Sequence, residues 1–161
     1  KKQHQLNTNY GAIETELSNN NITEPSIKDI SEAIISIRES KLPDPKKIGN
    51  SGSFFKNPVI FATQFKKLQE KYPSIPFYQL KKSKLTKSED SYKIPAGWLI
   101  ENAGFKGKRY GNCGVHEKQA LVIVNYSNAT GVEVFELAKQ IQKTILETFE
   151  IKLDIEVNVI I

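Results

Sequence analysis

A proline- and glycine-rich stretch, KLPDPKKIGNSGS at residues 41–53, constrains the fold more than any other part of the chain. Proline lacks the N–H that a helix interior needs, and glycine weakens regular structure. We therefore predict a boundary here, with a first part over residues 1–47 and a second part over residues 48–161. Because chains of about 40 residues rarely form a stable core unaided, we expect the first part to be the tail of a larger domain.

Composition bounds the class of protein. The 161 residues carry a formal net charge of +5, which favours anionic partners without naming one. No apolar run is long enough to cross a bilayer, and no apolar leader opens the sequence. The single cysteine, Cys113, excludes an internal disulfide and indicates a reducing, cytoplasmic compartment. The chain contains no methionine, so we expect it to belong to a longer protein.

Periodicity predicts the elements of the first part. YGAIETEL at residues 10–17 alternates loosely and predicts a short strand, followed by a turn at NNN. A helix is predicted from Ser26 to Lys41, with Ser26 and Asp29 in capping-box spacing. Its expected buried face carries four isoleucines: Ile27, Ile30, Ile34 and Ile37.

The second part mixes helices and strands without a regular repeat, which predicts an α+β fold. Helices are expected in FATQFKKLQEKY, PAGWLIENAG and TGVEVFELAKQIQKTILETF, and strands in ALVIVN and IKLDIEVNVI. The first of these helices should bury Phe61, Phe65, Leu68 and Tyr72. GFKGKRYGNCGVHEKQ is expected to be a long basic loop.

Several residues are candidates for chemistry, each with an ordinary structural alternative. GNSGSFFKNP at residues 49–58 suits either a ligand-binding loop or an irregular turn anchored by its two phenylalanines. Glu156 and Asp154 share the polar face of the last predicted strand and suit either catalysis or solvent exposure. Cys113 and His116 have half of a metal-site spacing, but His4 is distant and we expect no metal.

Nucleic-acid binding is a further alternative for a basic chain. Tyr10, the two phenylalanines and Tyr110 could stack on bases. However, no recognised nucleic-acid motif or basic stripe is present. We therefore expect no nucleic-acid or membrane partner.

Four stretches together resemble one family. IRESKLPDPKKIGNSGSFFKNPVI, PAGWLIENAGFKG, VHEKQALVIVN and LDIEV are similar to the C-terminal half of the UDP-N-acetylenolpyruvoylglucosamine reductases, in the same order and at compatible spacing. Ser51 stands where many members have alanine. The resemblance implies a bacterial, NADPH-dependent FAD enzyme of peptidoglycan synthesis, which reduces the enolpyruvyl group of a UDP-sugar to give UDP-N-acetylmuramate.

The resemblance also implies roles for individual residues. Ser53 would be the general acid, and Glu156 would stabilise the intermediate that forms after hydride transfer. Five further residues would contact the nucleotide-sugar or the nicotinamide cofactor, or lie near the site: Lys41, Asn57, Gln119, Arg38 and Lys106.

The FAD-binding segments of this family lie upstream of the matching stretch. The resemblance therefore implies that residues 1–47 end an FAD-binding domain and residues 48–161 bind the substrate. Alone, the chain is expected to hold no cofactor and to be inactive. A non-catalytic module that binds a nucleotide or another anion is the alternative function.

Overall fold

A computed structural model describes residues 6–8, 12–80 and 90–160 of the chain. These residues form two compact units, and the division falls between Asp44 and Pro45. The division lies inside KLPDP, slightly before the boundary predicted after residue 47. Each unit has its own hydrophobic cluster.

The first unit is a pair of helices, α1 (Ile13–Asn19) and α2 (Ile27–Lys41). The strand predicted over residues 10–17 is therefore wrong where the structure describes it, from residue 12 onward; Tyr10 lies outside the described residues. Ile13 and Leu17 are four residues apart, so one helical face buries both of them against Ala33 of α2. The predicted turn follows, with Asn21 at a positive φ of 57°.

Helix α2 begins and ends where the sequence predicts. The Ser26 side chain accepts a hydrogen bond from the Asp29 backbone N–H, and the Asp29 carboxylate accepts one from the Ser26 backbone N–H. The predicted buried face is wrong in part. Ile30 and Ile37 pack around Ala33, whereas Ile27 and Ile34 are 57% and 40% exposed. The short α1 covers only a narrow stripe of α2.

The second unit contains a four-stranded antiparallel sheet with the strand order β1-β7-β6-β5. Its strands are β1 (Gly49–Ser53), β5 (Arg109–Tyr110), β6 (Cys113–Val115) and β7 (Val122–Asn125). The predicted long basic loop is in fact interrupted by the tight β5–β6 hairpin. Gly111, at a φ of +60°, supplies the left-handed turn of that hairpin.

A smaller antiparallel sheet has the order β2-β4-β3, formed by β2 (Val59–Phe61), β3 (Tyr78–Leu80) and β4 (Ser91–Lys93). Helix α3 (Ala62–Lys71) follows β2 directly and buries Phe65 and Leu68. Phe61 was predicted on the buried face, but it precedes α3 and is 58% exposed.

Two further helices complete the core. The short α4 (Ala96–Asn102) is followed by Gly104, which has a φ of +79°. The N–H groups of Gly104 and Phe105 donate hydrogen bonds to the carbonyls of Glu101 and Ile100. The long α5 (Gly131–Phe149) was predicted as a helix, and it buries Leu137, Ala138, Ile141, Ile145 and Phe149. Burying one large aliphatic side chain contributes about 1.5–3 kcal/mol.

After α5 the chain runs in extended form, with Ile151 and Leu153 buried and Lys152 and Asp154 exposed. The alternation was predicted, but a regular strand was not formed. One isolated bridge, between Phe55 and Ile155, ties this segment to the rest of the unit. Among the described helices, none has the length and apolar character that a membrane crossing requires.

Candidate functional site

Strand β1 carries Ser53 at its end, beyond a β-bulge. Asn50 pairs with Val124 and Ser53 pairs with Val122, so two residues of β1 lie opposite a single residue of β7. Gly52, inside the bulge, has a φ of +74°, which side chains other than those of glycine rarely adopt. Ser53 is exposed, so its hydroxyl is accessible from solvent.

Two buried phenylalanines follow Ser53 and fix the end of the strand. Phe54 and Phe55 are 5% and 1% exposed, and their ring centroids lie 5.3 Å apart. The Phe54 N–H donates to the Leu121 carbonyl at 2.8 Å. The loop is therefore a bulged strand end anchored in the core, rather than an irregular turn.

Glu156 reaches the same place from the C-terminal segment. Its backbone N–H donates to the Phe54 carbonyl at 2.9 Å, and the Lys56 N–H donates to the Asp154 carbonyl at 2.9 Å. Backbone pairing therefore holds Glu156 beside the residue that follows Ser53. The Glu156 side chain is exposed, as is that of Asp154.

Asn57 has a structural partner that the sequence did not indicate. Its side-chain Oδ1 accepts a hydrogen bond from the Ala96 backbone N–H at 2.8 Å. Ala96 is the first residue of α4, and the preceding residue, Pro95, gives the helix no side-chain cap. Asn57 therefore caps α4 from a distant part of the chain.

Gln119 lies at the same end of α4. A Cβ built on Gly97 would lie 3.5 Å from the Gln119 side-chain Oε1, so the two residues are in close contact. The Gln119 carbonyl accepts a hydrogen bond from the Val122 N–H at 3.0 Å, which forms the turn before β7. Asn57 and Gln119 thus flank the start of α4, and Gln119 is half-buried.

Lys106 lies at the other end of α4. Its Nζ forms a salt bridge of 2.6 Å with Glu101, near the last residue of the helix. Seven helical residues rise about 10 Å, so Lys106 is not beside Asn57 and Gln119. Its charge is already partnered in this chain.

The two remaining predicted residues belong to the first unit. Arg38 and Lys41 are exposed in the last turn of α2. In the second unit the structure brings Glu156 near Ser53, and it places Asn57 and Gln119 at the start of α4. Asn50, which shapes the bulge, was missed; an Asn two residues before a Gly is a known signal of a side-chain-stabilised turn.

Cys113 and His116 both have partners within the chain. Burial raises the pKa of the Cys113 thiol, whose Sγ contacts the carbonyls of Tyr110 and Glu133. Burial also lowers the pKa of His116, whose Nδ1 accepts from the Lys118 N–H at 3.4 Å. In the described residues no group of three or more His, Cys, Asp or Glu side chains could hold a metal ion; His4 lies outside them.

A surface cleft of about 200 Å³ lies between the ends of α3 and α5 and is lined by Gln64, Lys71, Tyr72 and Phe149 among others. A second cleft, of about 300 Å³, lies between α1 and α2. None of the predicted site residues lines either cleft. Ser53 and Glu156 are both exposed.

Comparison with known proteins identifies the family. The family model described as "UDP-N-acetylenolpyruvoylglucosamine reductase, C-terminal domain" matches residues 44–160. A protein of that reductase name from Flavobacterium johnsoniae is 56% identical over 160 residues, covering 99% of this chain and 45% of the relative. Similar proteins from Amoebophilus asiaticus and Porphyromonas gingivalis are each 48% identical, covering 99% and 94% of this chain and 45% and 43% of the relatives.

The chain is an α+β protein, with an exposed serine at a bulged strand end. It belongs to the UDP-N-acetylenolpyruvoylglucosamine reductase family and matches the C-terminal domain of that family. It spans less than half the length of these three relatives.

Proposed function

We propose that this chain is the substrate-binding part of a cytoplasmic, flavin-dependent reductase of peptidoglycan synthesis. The enzyme would convert UDP-N-acetylenolpyruvoylglucosamine to UDP-N-acetylmuramate with NADPH as reductant. The observation that carries the proposal is an exposed Ser53, set on a glycine bulge inside the matched residues 44–160. A net charge of +5 suits an anionic nucleotide-sugar.

The glycine-rich stretch of this chain does not form the kind of turn that commonly holds a dinucleotide such as FAD. A dinucleotide pyrophosphate is commonly held where a glycine-rich turn leads into a helix N-terminus. Here the stretch around Gly49 and Gly52 leads into the extended segment of Phe54 and Phe55 instead. We assign flavin binding to the part of the enzyme that corresponds to the unmatched residues of the relatives. The flavin bound there would supply the hydride to the substrate.

Ser53 is assigned the role of general acid. Its Oγ–H would protonate the substrate carbon that becomes strongly basic once hydride has been added to the neighbouring carbon. The serine alkoxide would then recover a proton from water, so that protons balance over a turnover. Serine is a weak acid in water, and the step depends on a very basic acceptor held close to Oγ.

Glu156 is assigned to stabilising that carbanion-like intermediate. A carboxyl group does this only when it carries a proton or positions a donor. Glu156 is exposed in this chain, so bound substrate would have to exclude water around it. The backbone bond between the Glu156 N–H and the Phe54 carbonyl supports a position next to Ser53.

Substrate binding is assigned to the cluster at the start of α4 and to the basic residues. Asn57 and Gln119 would contact the nucleotide-sugar or the nicotinamide cofactor. Lys41 and Arg38 would contact the anionic groups of the nucleotide-sugar. Lys106 has the weakest support, because Glu101 already neutralises it at 2.6 Å.

The test is a grafted reductase, in which this chain replaces the matching C-terminal residues of the Flavobacterium johnsoniae relative. Turnover is measured as the decrease in NADPH absorbance that depends on added UDP-sugar. Ser53→Ala should reduce turnover by about 10²-fold or more while NADPH still reduces the flavin. Ser51→Ala is the matched control, since Ser51 is an exposed serine of the same strand.

Normal turnover with Ser53→Ala would contradict the general-acid role. A graft that reduces flavin but never turns over the UDP-sugar would favour the alternative, a module that only binds an anion.

A further inference from the structure

The bulge before Ser53 is held by a side chain that the proposed chemistry does not use. Asn50 Oδ1 accepts a hydrogen bond from the Gly52 backbone N–H at 3.1 Å. The Asn50 Nδ2 donates to the Ile48 carbonyl, also at 3.1 Å. One amide therefore links Ile48, which precedes the bulge, to Gly52, which lies within it. Asn50 is half-buried, so these bonds are partly shielded from water.

The bulge decides which residue is presented at the strand end. Side chains alternate between the two faces of a strand, so a shift of one residue moves each side chain to the opposite face. With the bulge, Ser53 pairs with Val122 and is exposed, and Phe54 is buried. Without the bulge, Ser53 would lie on the opposite face of the strand from Asn50, and every side chain after it would change face as well.

Backbone bonds fix the chain after the bulge, because Phe54 and Lys56 pair with Leu121 and Asp154. Before the bulge, Asn50 pairs with Val124 of β7. Between these fixed points, the Asn50 side chain holds the Gly52 N–H at the left-handed residue. The conformation of the residue directly before Ser53 therefore depends on the Asn50 amide.

We propose that Asn50 is a positioning residue for the proton donor Ser53, acting through the Gly52 N–H. The inference rests on the proposed function of Ser53. Asn50 touches neither substrate nor cofactor in this role. It keeps the bulge in one conformation, so that the Ser53 hydroxyl is presented in a single orientation.

Such a role has a specific kinetic signature. Misplacing a reacting group by about 1 Å costs about 10²-fold in rate, while the groups that bind substrate stay in place. Removing the Asn50 amide should therefore lower kcat and change KM little. Reduction of the flavin by NADPH does not use Ser53 and should keep its rate.

The experiment uses the grafted reductase and two substitutions at one position. Asn50→Leu has a similar shape and removes both hydrogen bonds. Asn50→Asp keeps an acceptor for the Gly52 N–H but removes the donor to Ile48. We expect kcat to fall by about 10²-fold in Asn50→Leu and to recover most of that loss in Asn50→Asp. Ser53→Ala and Ser51→Ala are run beside them.

Amide exchange gives a readout that is independent of turnover. In the 161-residue chain, exchange of the Gly52 N–H should accelerate in Asn50→Leu and stay slow in Asn50→Asp. The N–H groups of Phe54 and Lys56, whose acceptors are backbone carbonyls, should remain protected in both. Loss of protection at Phe54 and Lys56 in Asn50→Leu would show that this variant unfolds generally. The kcat and the Gly52 exchange of Asn50→Asp would then test the inference.

The outcomes separate the inference from the function on which it rests. If Ser53→Ala is slow but Asn50→Leu keeps full kcat, Asn50 does not position the donor and only this inference fails. Equal losses in Asn50→Leu and Asn50→Asp, with Gly52 protected in the latter, would also overturn it. If Ser53→Ala keeps normal turnover, the proposed function itself is wrong.

Discussion

The Asn57 side chain caps helix α4 by accepting a hydrogen bond from the Ala96 backbone N–H at 2.8 Å. The two residues are far apart in sequence and meet because β2 pairs with β4, just before the helix. One side chain therefore has a structural task in addition to its proposed contact with the nucleotide-sugar. Each task uses a different property of the amide: Oδ1 accepts from the helix, and Nδ2 is a donor suited to an anionic ligand.

Substitution of Asn57 should separate these two tasks. Asn57→Asp keeps the acceptor and places negative charge at a helix N-terminus, which is favourable. We expect it to retain stability but to raise KM for the UDP-sugar in the grafted reductase. Asn57→Leu should lose about 1 kcal/mol of stability as well. Urea unfolding and steady-state kinetics measure the two effects, and an unchanged KM in Asn57→Asp would exclude the ligand contact.

Gly114 should tolerate no side chain. A Cβ there would lie 2.6 Å from the Lys108 carbonyl oxygen and 2.9 Å from Tyr126 Cε2. The tyrosine ring also stacks under the Arg109 guanidinium, at 4.8 Å. Gly114→Ala should therefore force apart the β5–β6 hairpin and cost about 1–3 kcal/mol.

Gly131→Ala is the matched control for Gly114→Ala. A Cβ at Gly131 meets nothing within 4 Å, and alanine favours the helix that begins there. Chemical denaturation should show a clear loss for Gly114→Ala and no loss for Gly131→Ala. Equal stability of the two variants would contradict the close packing of the hairpin.

The sequence predicted elements best where local signals agree. Helices α2 and α5 each begin with a capping box, and the position of each helix was predicted correctly. The buried face of α2 was not, because Ile27 and Ile34 are exposed. The α1 prediction failed because a short segment with Ile13 and Leu17 satisfies a loose strand pattern too. The prediction of the last strand was wrong because alternation of apolar and polar residues indicates burial on one side only. A strand also needs a hydrogen-bonded neighbour, and this segment forms one isolated bridge.

The site residues show the same limit. The glycines and Ser53 of GNSGSFFKNP indicated an unusual backbone at residues 49–58. The motif carried no information on the partners of Asn57 and Lys106, which are Ala96 and Glu101. The contact between Asn57 and Ala96 is tertiary and follows from the packing of α4, whereas Lys106 and Glu101 are five residues apart at the end of that helix.

The first unit should be less stable than the second. Among its described residues the buried ones are Ile13, Leu17 and Ala33. Helix α5 alone buries more, and local stability follows buried apolar contacts. We expect amide exchange in α2 to be much faster than in α5. Because both helices have a capping box, capping does not account for the difference. Equal protection of the two helices would contradict the prediction.

The Glu133 carboxylate should make the stability of α5 depend on pH. It accepts hydrogen bonds from the Thr130 backbone N–H at 2.7 Å and from the Thr130 hydroxyl at 2.9 Å. These bonds hold the pKa of Glu133 below its ordinary value of 4.5. The stability that they provide is therefore fully present above pH 4.5, and it is lost as the pH falls through the lower pKa of the folded state.

Glu133→Gln tests this dependence, because glutamine can still complete a capping box but does not titrate. Its melting temperature should fall less than that of the parent chain as the pH is lowered from neutral through the acid range in which the carboxyl of Glu133 takes up a proton. Glu136→Gln, an exposed carboxylate on the same helix, is the control and should keep the pH response of the parent chain. Asp29 titrates similarly in α2, but it is present in all three chains and its effect cancels in the comparison. An identical acid response in Glu133→Gln and the parent chain would show that the capping bond does not couple protonation to folding.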